Sequence, residues 1–517
     1  MTTKDAHLYE LLQNRFGLQS FRKGQLDIIK SVLSKKDALA VMPTGGGKSL
    51  CYQLPAIELN GLVVVISPLI ALMKDQVRLL KKIGINSGCL HSSQDLDDKR
   101  EVFNAIKKAG PYVLYLSPER VQNPGFAEWI KTQNIVLFAI DEAHCVSQWG
   151  PDFREDYHKL KLLRQIRPDV PLLALTATAT PTVLKDVGRQ LEMRNPDKHV
   201  HGFYRPNLFY QVETCTGDDY KFQFLKNALK KTPVGRVLIY CGTRQLTQDL
   251  AAMLSSDFKG VGYYHAGLDA ETRNTIQEKL DNHDLRILAA TNAFGMGIDY
   301  PDVRLVVHFQ MPANIESFYQ EMGRAGRDGI ESRCLLLYSK KDKGLQSFFI
   351  QQSKASPSVI ERRWDSLNAI TLFAEGGECR HAGILTYFKD SERINECGHC
   401  DVCAPQSPMV VDRPKQNEVH ATSTQKISKK KSAKKPNHET QSPQAEARKL
   451  VLKDWRRQYA KENDIPAFIV FSDRTLVDLA NKNPRNLSEL IKVYGFGPTK
   501  VEVLGNAILK ELGHVNG

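Results

Sequence analysis

At 517 residues the chain exceeds what one hydrophobic core organises, and its size suits three or four domains. Hydrophobic content of 42% beside 25% charged residues is that of a globular protein, and no apolar run nears the ~18 residues of a membrane-spanning helix. A net charge of +13 favours polyanionic partners, and the polar start MTTKDAHLYELLQNRFG lacks the apolar centre of a secretion signal.

Short apolar runs recur between residues 38 and 178: ALAVM, LVVVISP, YVLYLSP, IVLFAIDEAH and LLALTAT. Amphipathic stretches such as LIALMKDQVRLLKKIG lie between them. Continuous apolar strands alternating with helical patterns predict an α/β fold whose parallel sheet is covered on both faces. The series repeats from 236 to 339 as RVLIYCGT, VGYYHAG, LRILAATNAF, VRLVVHFQMP and CLLLYS. Two lobes are therefore expected over 1–205 and 206–345, joined near Tyr204–Leu208. Residues 346–404 read as helices ending in four crowded cysteines. Apolar content then collapses over 405–443, where eight Lys/Arg stand against three Asp/Glu, and a basic disordered linker is expected. Helical periodicity returns over 444–517 and predicts a small all-α domain. Six further cysteines (Cys51, Cys89, Cys145, Cys215, Cys241, Cys334) stand singly in or beside apolar runs and read as buried thiols of a reducing compartment. A cytoplasmic protein (nucleoid-associated in a bacterium) or a nuclear one in a eukaryote is expected, without a membrane partner.

Three strings carry chemistry. Met42-Pro43-Thr44-Gly45-Gly46-Gly47-Lys48-Ser49 follows a strand and opens a helix. Met42 stands where the strict P-loop pattern has glycine, yet Thr44 and the three glycines still let backbone N–H groups close on phosphate oxygens. Lys48 is placed for the β- and γ-phosphates and Ser49 for Mg²⁺. Asp141-Glu142-Ala143-His144 ends the strand IVLFAI, and ligands of open α/β sheets gather at such strand ends. Asp141 would hold Mg²⁺ and Glu142 would orient and deprotonate the attacking water. In the second lobe, Gln320-x-x-Gly323-Arg324-x-Gly326-Arg327 offers arginines that can reach across a cleft to the γ-phosphate.

With Thr176-Ala177-Thr178, these strings in this order resemble superfamily 2 helicases, and the detail is similar to the RecQ family. Leu12-x3-Phe16-Gly17-x3-Phe21-Arg22-x2-Gln25 matches the family's N-terminal motif. The resemblance implies that Gln25 reads the adenine edge while Arg22 packs on its face, and that both lobes are RecA-like. Cys145-Val-Ser-Gln148-Trp149-Gly-Pro151-Asp152-Phe153-Arg154 looks like the aromatic-rich loop of the family. Trp149 and Phe153 can stack on an unpaired base and Arg154 can contact phosphate, so His144 and these three are expected to couple DNA to Glu142. Ser67–Gln76, Tyr264–Leu268 and Ala290–Asp299 are implied to line the nucleic-acid groove or link it to ATP. Asp299 stands where relatives usually carry asparagine, and it either weakens phosphate contact or pairs with Arg304.

Cys379-x17-Cys397-x2-Cys400-x2-Cys403 has the ligand type and pairing of a tetrahedral Zn²⁺ site. His381 and His399 are nearby competitors, but four thiolates already complete the shell. The spacing, with Arg380 and Tyr387-Phe388, looks like the zinc module of RecQ proteins. Residues 445–513 resemble the HRDC domain through Ile465–Asp473, Leu476-x2-Leu479-Ala480 and Gly495-x-Gly497-Pro498-x-Lys500. Ser472 or Asp473 is placed to cap a helix. Many RecQ proteins hold a winged-helix domain between these modules, and the interval here is too short and polar for one.

The resemblance implies an ATP-dependent DNA helicase of 3′→5′ polarity acting on single-stranded and forked DNA. It would use ATP, Mg²⁺ and Zn²⁺, act as a monomer, and meet single-stranded DNA-binding protein or repair proteins. The rivals are a translocase that separates no strands, an RNA helicase, and a zinc-containing DNA-binding scaffold with an inactive motor.

Overall fold

Runs that are apolar on both faces belong in the middle of a sheet, and the computed structural model places all of them there except VGYYHAG, which forms a half-buried edge strand. It describes residues 3–43, 45–92, 94–108, 110–147, 154–295, 300–353, 355–415, 442–463, 465 and 467–513. In the first lobe the strands are β1 (Ala38–Val41), β2 (Leu62–Ile66), β3 (Ser87–Leu90), β4 (Tyr112–Leu116), β5 (Ile135–Ile140), β6 (Leu172–Thr176) and β7 (Asp197–Val200). They form a parallel sheet in the order β3-β4-β2-β5-β6-β1-β7. The second lobe has β8 (Leu208–Thr214), β9 (Arg236–Tyr240), β10 (Val261–Tyr264), β11 (Ile287–Ala290), β12 (Val303–His308) and β13 (Ser332–Tyr338). These are also parallel, in the order β10-β11-β9-β12-β13-β8.

The strand order positions the site. β6 lies between β5 and β1, so the P-loop, Thr176–Thr178 and Asp141–Glu142 leave three neighbouring strands at their C-terminal ends. Backbone bonds hold that alignment past the strands: Met42 N–H donates to Thr176 O at 3.0 Å and Asp141 N–H to Ile66 O at 2.9 Å. One apolar core, including Ile28, Tyr52, Met73, Val63 and Val65, fills one face of the first sheet. The core on the other face runs on through the second lobe into the helices that follow it, ending on Phe468.

The segment between β7 and β8, from Val200 to Leu208, connects the two sheets. Phe203 there stacks on Phe388 at 4.4 Å, and its carbonyl accepts the Tyr319 hydroxyl at 3.0 Å. Phe388 ends the helix Arg380–Tyr387, which follows the helices Lys340–Gln351 and Pro357–Glu375. Both lobes and the cysteine module thus meet at one aromatic cluster.

The expected linker over 405–443 needs correction. Residues up to 415 are described, and Met409 and Val411 are buried against the second lobe. Val411 exchanges two hydrogen bonds with the Gln211 side chain, at 2.8 and 3.1 Å, and Arg413 pairs with Glu213 at 3.0 Å. β8 is an edge strand, and this short apolar strip covers side chains it presents. The rest of the expected linker, 416–441, lies outside the described residues.

The C-terminal helices, chiefly Pro443–Glu462, Asp473–Lys482 and Pro498–Glu511, gather around Leu452, Phe471, Leu479 and Ile508. Ser472 is the cap, accepting from Thr475 N–H at 3.2 Å, whereas Asp473 pairs with Arg456. This domain does not stand apart. Phe468 meets Phe373 edge-on at 5.6 Å, and Tyr494 donates to Glu375 at 3.2 Å. Arg456, fully buried, reaches both Asp473 at 2.6 Å and Glu378 of the cysteine module at 3.3 Å.

Candidate active site

After β1 the chain turns through Gly45 and Gly47, both with positive φ (78° and 77°), a region costly for residues with a Cβ. Gly46 N–H closes the turn on Pro43 O at 2.9 Å, and the helix Leu50–Glu58 follows. Lys48 and Ser49 are half-buried at its start; Thr44 lies outside the described residues.

Gln25 and Arg22 are tied to this turn. The Gln25 amide donates to Gly47 O at 2.9 Å and Gly46 O at 3.3 Å, and its oxygen accepts from Arg22 N–H at 2.7 Å. The Arg22 guanidinium donates to Gly45 O. The expectation of adenine recognition by this pair is thus joined by a structural role: both side chains brace the phosphate loop.

Asp141 is 9% exposed, and burial together with the Glu142 charge pushes its carboxyl up to about 7, against the pull of Lys48. Its Oδ1 accepts from Glu142 N–H at 3.0 Å and its carbonyl accepts the Tyr157 hydroxyl at 3.1 Å. Those bonds hold Glu142 at φ 48°, a left-handed conformation that costs a non-glycine residue ~1 kcal/mol or more.

His144 is fully buried behind Glu142. Its Nδ1 lies 2.9 Å from the Thr176 hydroxyl and 3.4 Å from Glu142 Oε2. Thr176 donates its own proton to Thr178 O at 3.1 Å, so His144 Nδ1–H is the donor to Thr176. Hydrogen bonds therefore link His144 through Thr176 to Thr178, with the Glu142 carboxylate in close polar contact at the near end.

The two arginines of the second lobe part company. The helix Ile315–Met322, on which Gln320 is half-buried, stops at Gly323, and Gly326 turns at φ 54°. Beyond that turn the Arg327 side chain lies against the P-loop, its Cγ 3.4 Å from where a Cβ on Gly45 would stand. Arg324 instead is 5% exposed and donates to Gly295 O within its own lobe. Sequence reasoning treated both alike. It also missed Arg205 and Asn207, which fix the turn through Gly326 O at 3.1 and 2.8 Å. The only sequence signal for these two was their place just before β8.

Of the aromatic loop, Gln148–Phe153 lies outside the described residues, which takes in Trp149 and Phe153. Arg154 is placed: its N–H bonds Cys145 O at 3.0 Å and its guanidinium donates to Pro68 O at 3.2 Å. Arg154 thereby ties the start of the next helix both to Cys145, behind Glu142, and to Pro68 after β2. Asp299 also lies outside the described residues, and Arg304 pairs with Asp328.

The four cysteine sulfurs Cys379, Cys397, Cys400 and Cys403 lie within 4.8 Å of one another. Amide N–H groups of Ala382, His399 and Cys403 point at three of them, at 3.2 to 3.5 Å, as befits thiolates. The residues fit a Zn²⁺ ion, which when bound would cross-link the module. His381 is not needed: it is buried, stacked on Tyr210 at 4.3 Å and bonded to Leu208 O at 3.0 Å. Five of the six scattered cysteines are buried and Cys89 is half-buried, and burial pushes the Cys51, Cys215 and Cys241 thiols up to about 12.

Comparison with known proteins agrees with this arrangement. Family models match in chain order: DEAD/DEAH box helicase over 22–187, helicase conserved C-terminal domain over 220–329, RecQ zinc-binding over 340–404 and HRDC domain over 446–512. The ATP-dependent DNA helicase RecQ of Haemophilus influenzae is 41% identical over 395 residues, which is 76% of this chain and 63% of that protein. RecQ of Bacillus subtilis is 32% identical over 581 positions, covering 97% of this chain and 98% of its own length. That alignment is longer than the chain itself, so the relative holds stretches without counterpart here. In fold, the chain is similar to Saccharomyces cerevisiae Dbp5 bound to RNA and ADP BeF3 (TM-score 0.51, 17% identity, 69% of this chain and 97% of that one). It is also similar to the DUF1998 helicase MrfA bound to DNA (TM-score 0.53, 18% identity, 73% and 55%). With both lobes, the cysteine module and the C-terminal domain accounted for in order, the chain belongs to the RecQ family of ATP-dependent DNA helicases.

Proposed function

We propose that this chain hydrolyses ATP between its two lobes, moves 3′→5′ along single-stranded DNA and separates the duplex ahead of it. The observation that carries this reading is Arg327 lying against Gly45, which puts a second-lobe cation beside the first-lobe phosphate turn. Lys48 and Ser49 would hold the phosphates, with Ser49 and Asp141 holding Mg²⁺. Mg²⁺, when bound, would supply charge neutralisation at the phosphates. Glu142 would take the proton of the attacking water. Arg327 would meet the γ-phosphate, so the cleft is complete only when the lobes approach, and hydrolysis releases them. Gln25 and Arg22 would sense adenine and pass its presence to the loop they brace. Trp149, Phe153 and Arg154 would bind the strand, and the line through His144 and Thr176 would carry its arrival to Glu142. Arg324, anchored at Gly295, would tie the groove segment Ala290–Asp299 to the same turn as Arg327, with Gln320 on the adjoining helix.

A translocase that opens no duplex is the second reading, favoured by the short interval between cysteine module and C-terminal domain. Duplexes carrying a 3′ or a 5′ single-stranded tail distinguish the two. Strand separation confined to the 3′-tailed substrate is expected. Hydrolysis without separation on either selects the translocase, and preference for the 5′ tail reverses the polarity.

A further inference from the structure

The helix Lys340–Gln351 follows β13 directly and is pinned to the second lobe. Asp342, which accepts the N–H of the N-cap Ser339, also receives the buried Lys221 amine at 2.6 Å, and the Gln346 amide donates to Met311 O at 2.9 Å. A helix fixed this firmly nevertheless ends on two adjacent aromatic rings turned to solvent. Phe348 is 54% exposed and Phe349 45%, while Ile350 beside them is buried. The rings sit 6.1 Å apart at 58°, which makes a ridge rather than a stacked pair.

The ridge borders a cleft. Phe349 shares a cavity of about 200 Å³ with Gly242, Thr291, Asn292 and Gln310. Gly242 and Thr291 follow the C-terminal ends of β9 and β11, and Thr291-Asn292 belongs to the groove segment Ala290–Asp299. Hydroxyl, amide and glycine groups at such strand ends suit sugar and phosphate, and Lys340 and Lys341 are exposed on the first turn of the helix. Exposed aromatic rings at the edge of a backbone-binding cleft present flat apolar faces that bases, but not phosphates, prefer.

We propose that Phe348 and Phe349 form the strand-separating wedge of this enzyme, stacking on the base pair at the junction of single- and double-stranded DNA. The inference rests on the helicase reading above and supplies a strand-separating element in a chain whose interval between cysteine module and C-terminal domain is too short for a winged-helix domain. One strand is held by its backbone in the cleft while the rigid ridge blocks its complement from following.

The test uses the full chain with Phe348→Ala/Phe349→Ala and Phe348→Tyr/Phe349→Tyr double variants. A 3′-tailed duplex carries 2-aminopurine at its first base pair. Stimulation of ATP hydrolysis by single-stranded DNA reports an intact motor. The alanine pair is expected to lower strand separation at least tenfold with motor stimulation within twofold of the parent, and to lose the fluorescence change at the junction. The tyrosine pair is expected to restore both. Unchanged separation and fluorescence in the alanine pair would overturn the wedge alone. A parent enzyme that hydrolyses ATP on DNA but separates no strands would sink the helicase reading and the wedge with it.

Discussion

Asp141 is a buried carboxyl set beside a second one, Glu142. Its carboxyl sits near 7 instead of the ordinary 3.8, chiefly through burial and then through Glu142. A carboxyl raised in the folded state adds stability at low pH, fully present below its free value and lost as pH rises through about 7. Asp141→Asn should therefore raise the thermal midpoint at pH 8 while abolishing hydrolysis, which paired melting and ATPase measurements would check. Mg²⁺ and the proton compete for the same carboxylate, so more Mg²⁺ should move the acid limb of the ATPase profile to lower pH. A limb that stays in place would contradict Asp141 as the metal ligand. The arginines separate just as cleanly. Arg327→Ala should cut kcat by roughly 10³-fold with little change in ATP affinity, as loss of an arginine finger does. Arg324→Ala should instead lower the thermal midpoint, since it empties a buried polar site inside the second lobe.

At the scale of elements, the phosphate loop, the DEAH strand end and the four cysteines were all legible in the sequence. Each is a local string with a chemical meaning, and continuous apolar runs identified the strands that carry them. What stayed hidden was set by distant partners. The spacing of Arg324 and Arg327 says that both follow a helix end, but the turn at Gly326 and the carbonyl of Gly295 decide which of them faces the P-loop. Met409–Val411 looked like linker because its partner is a side chain on an edge strand 200 residues away. Docking of the C-terminal domain was equally illegible, for Arg456 reads as one cation on an ordinary helix. Breaking a buried ion pair on one side leaves the other charge stranded, at a cost of roughly 3–5 kcal/mol. Arg456→Ala should accordingly give a separate, earlier unfolding transition for residues 442–513, while Arg456→Met should cost less. A base stacked on an aromatic face gains ~1–3 kcal/mol, comparable with ~1.4 kcal/mol for one DNA stacking step. Two phenylalanines at a helix end are therefore sufficient in scale to hold a fork open one step.

Across the whole molecule, the second lobe, cysteine module and C-terminal domain share contacts that tie them together. Glu378, which receives Arg456, immediately precedes the first cysteine ligand. Metal occupancy and docking should consequently be linked, because an ion that binds only the folded module stabilises whatever depends on it. Chelation of Zn²⁺ should lower the melting of the cysteine module and the C-terminal domain together; melting of the latter unmoved by chelation would mean the contact carries no coupling. In the proposed mechanism, nucleic acid arriving at the groove switches on hydrolysis at the interlobe site. Its most direct test is steady-state ATP hydrolysis with and without single-stranded DNA, for the parent chain and Lys48→Ala. Strong stimulation by DNA that vanishes in Lys48→Ala is the predicted result. Hydrolysis indifferent to DNA, or equal in the variant, would contradict it.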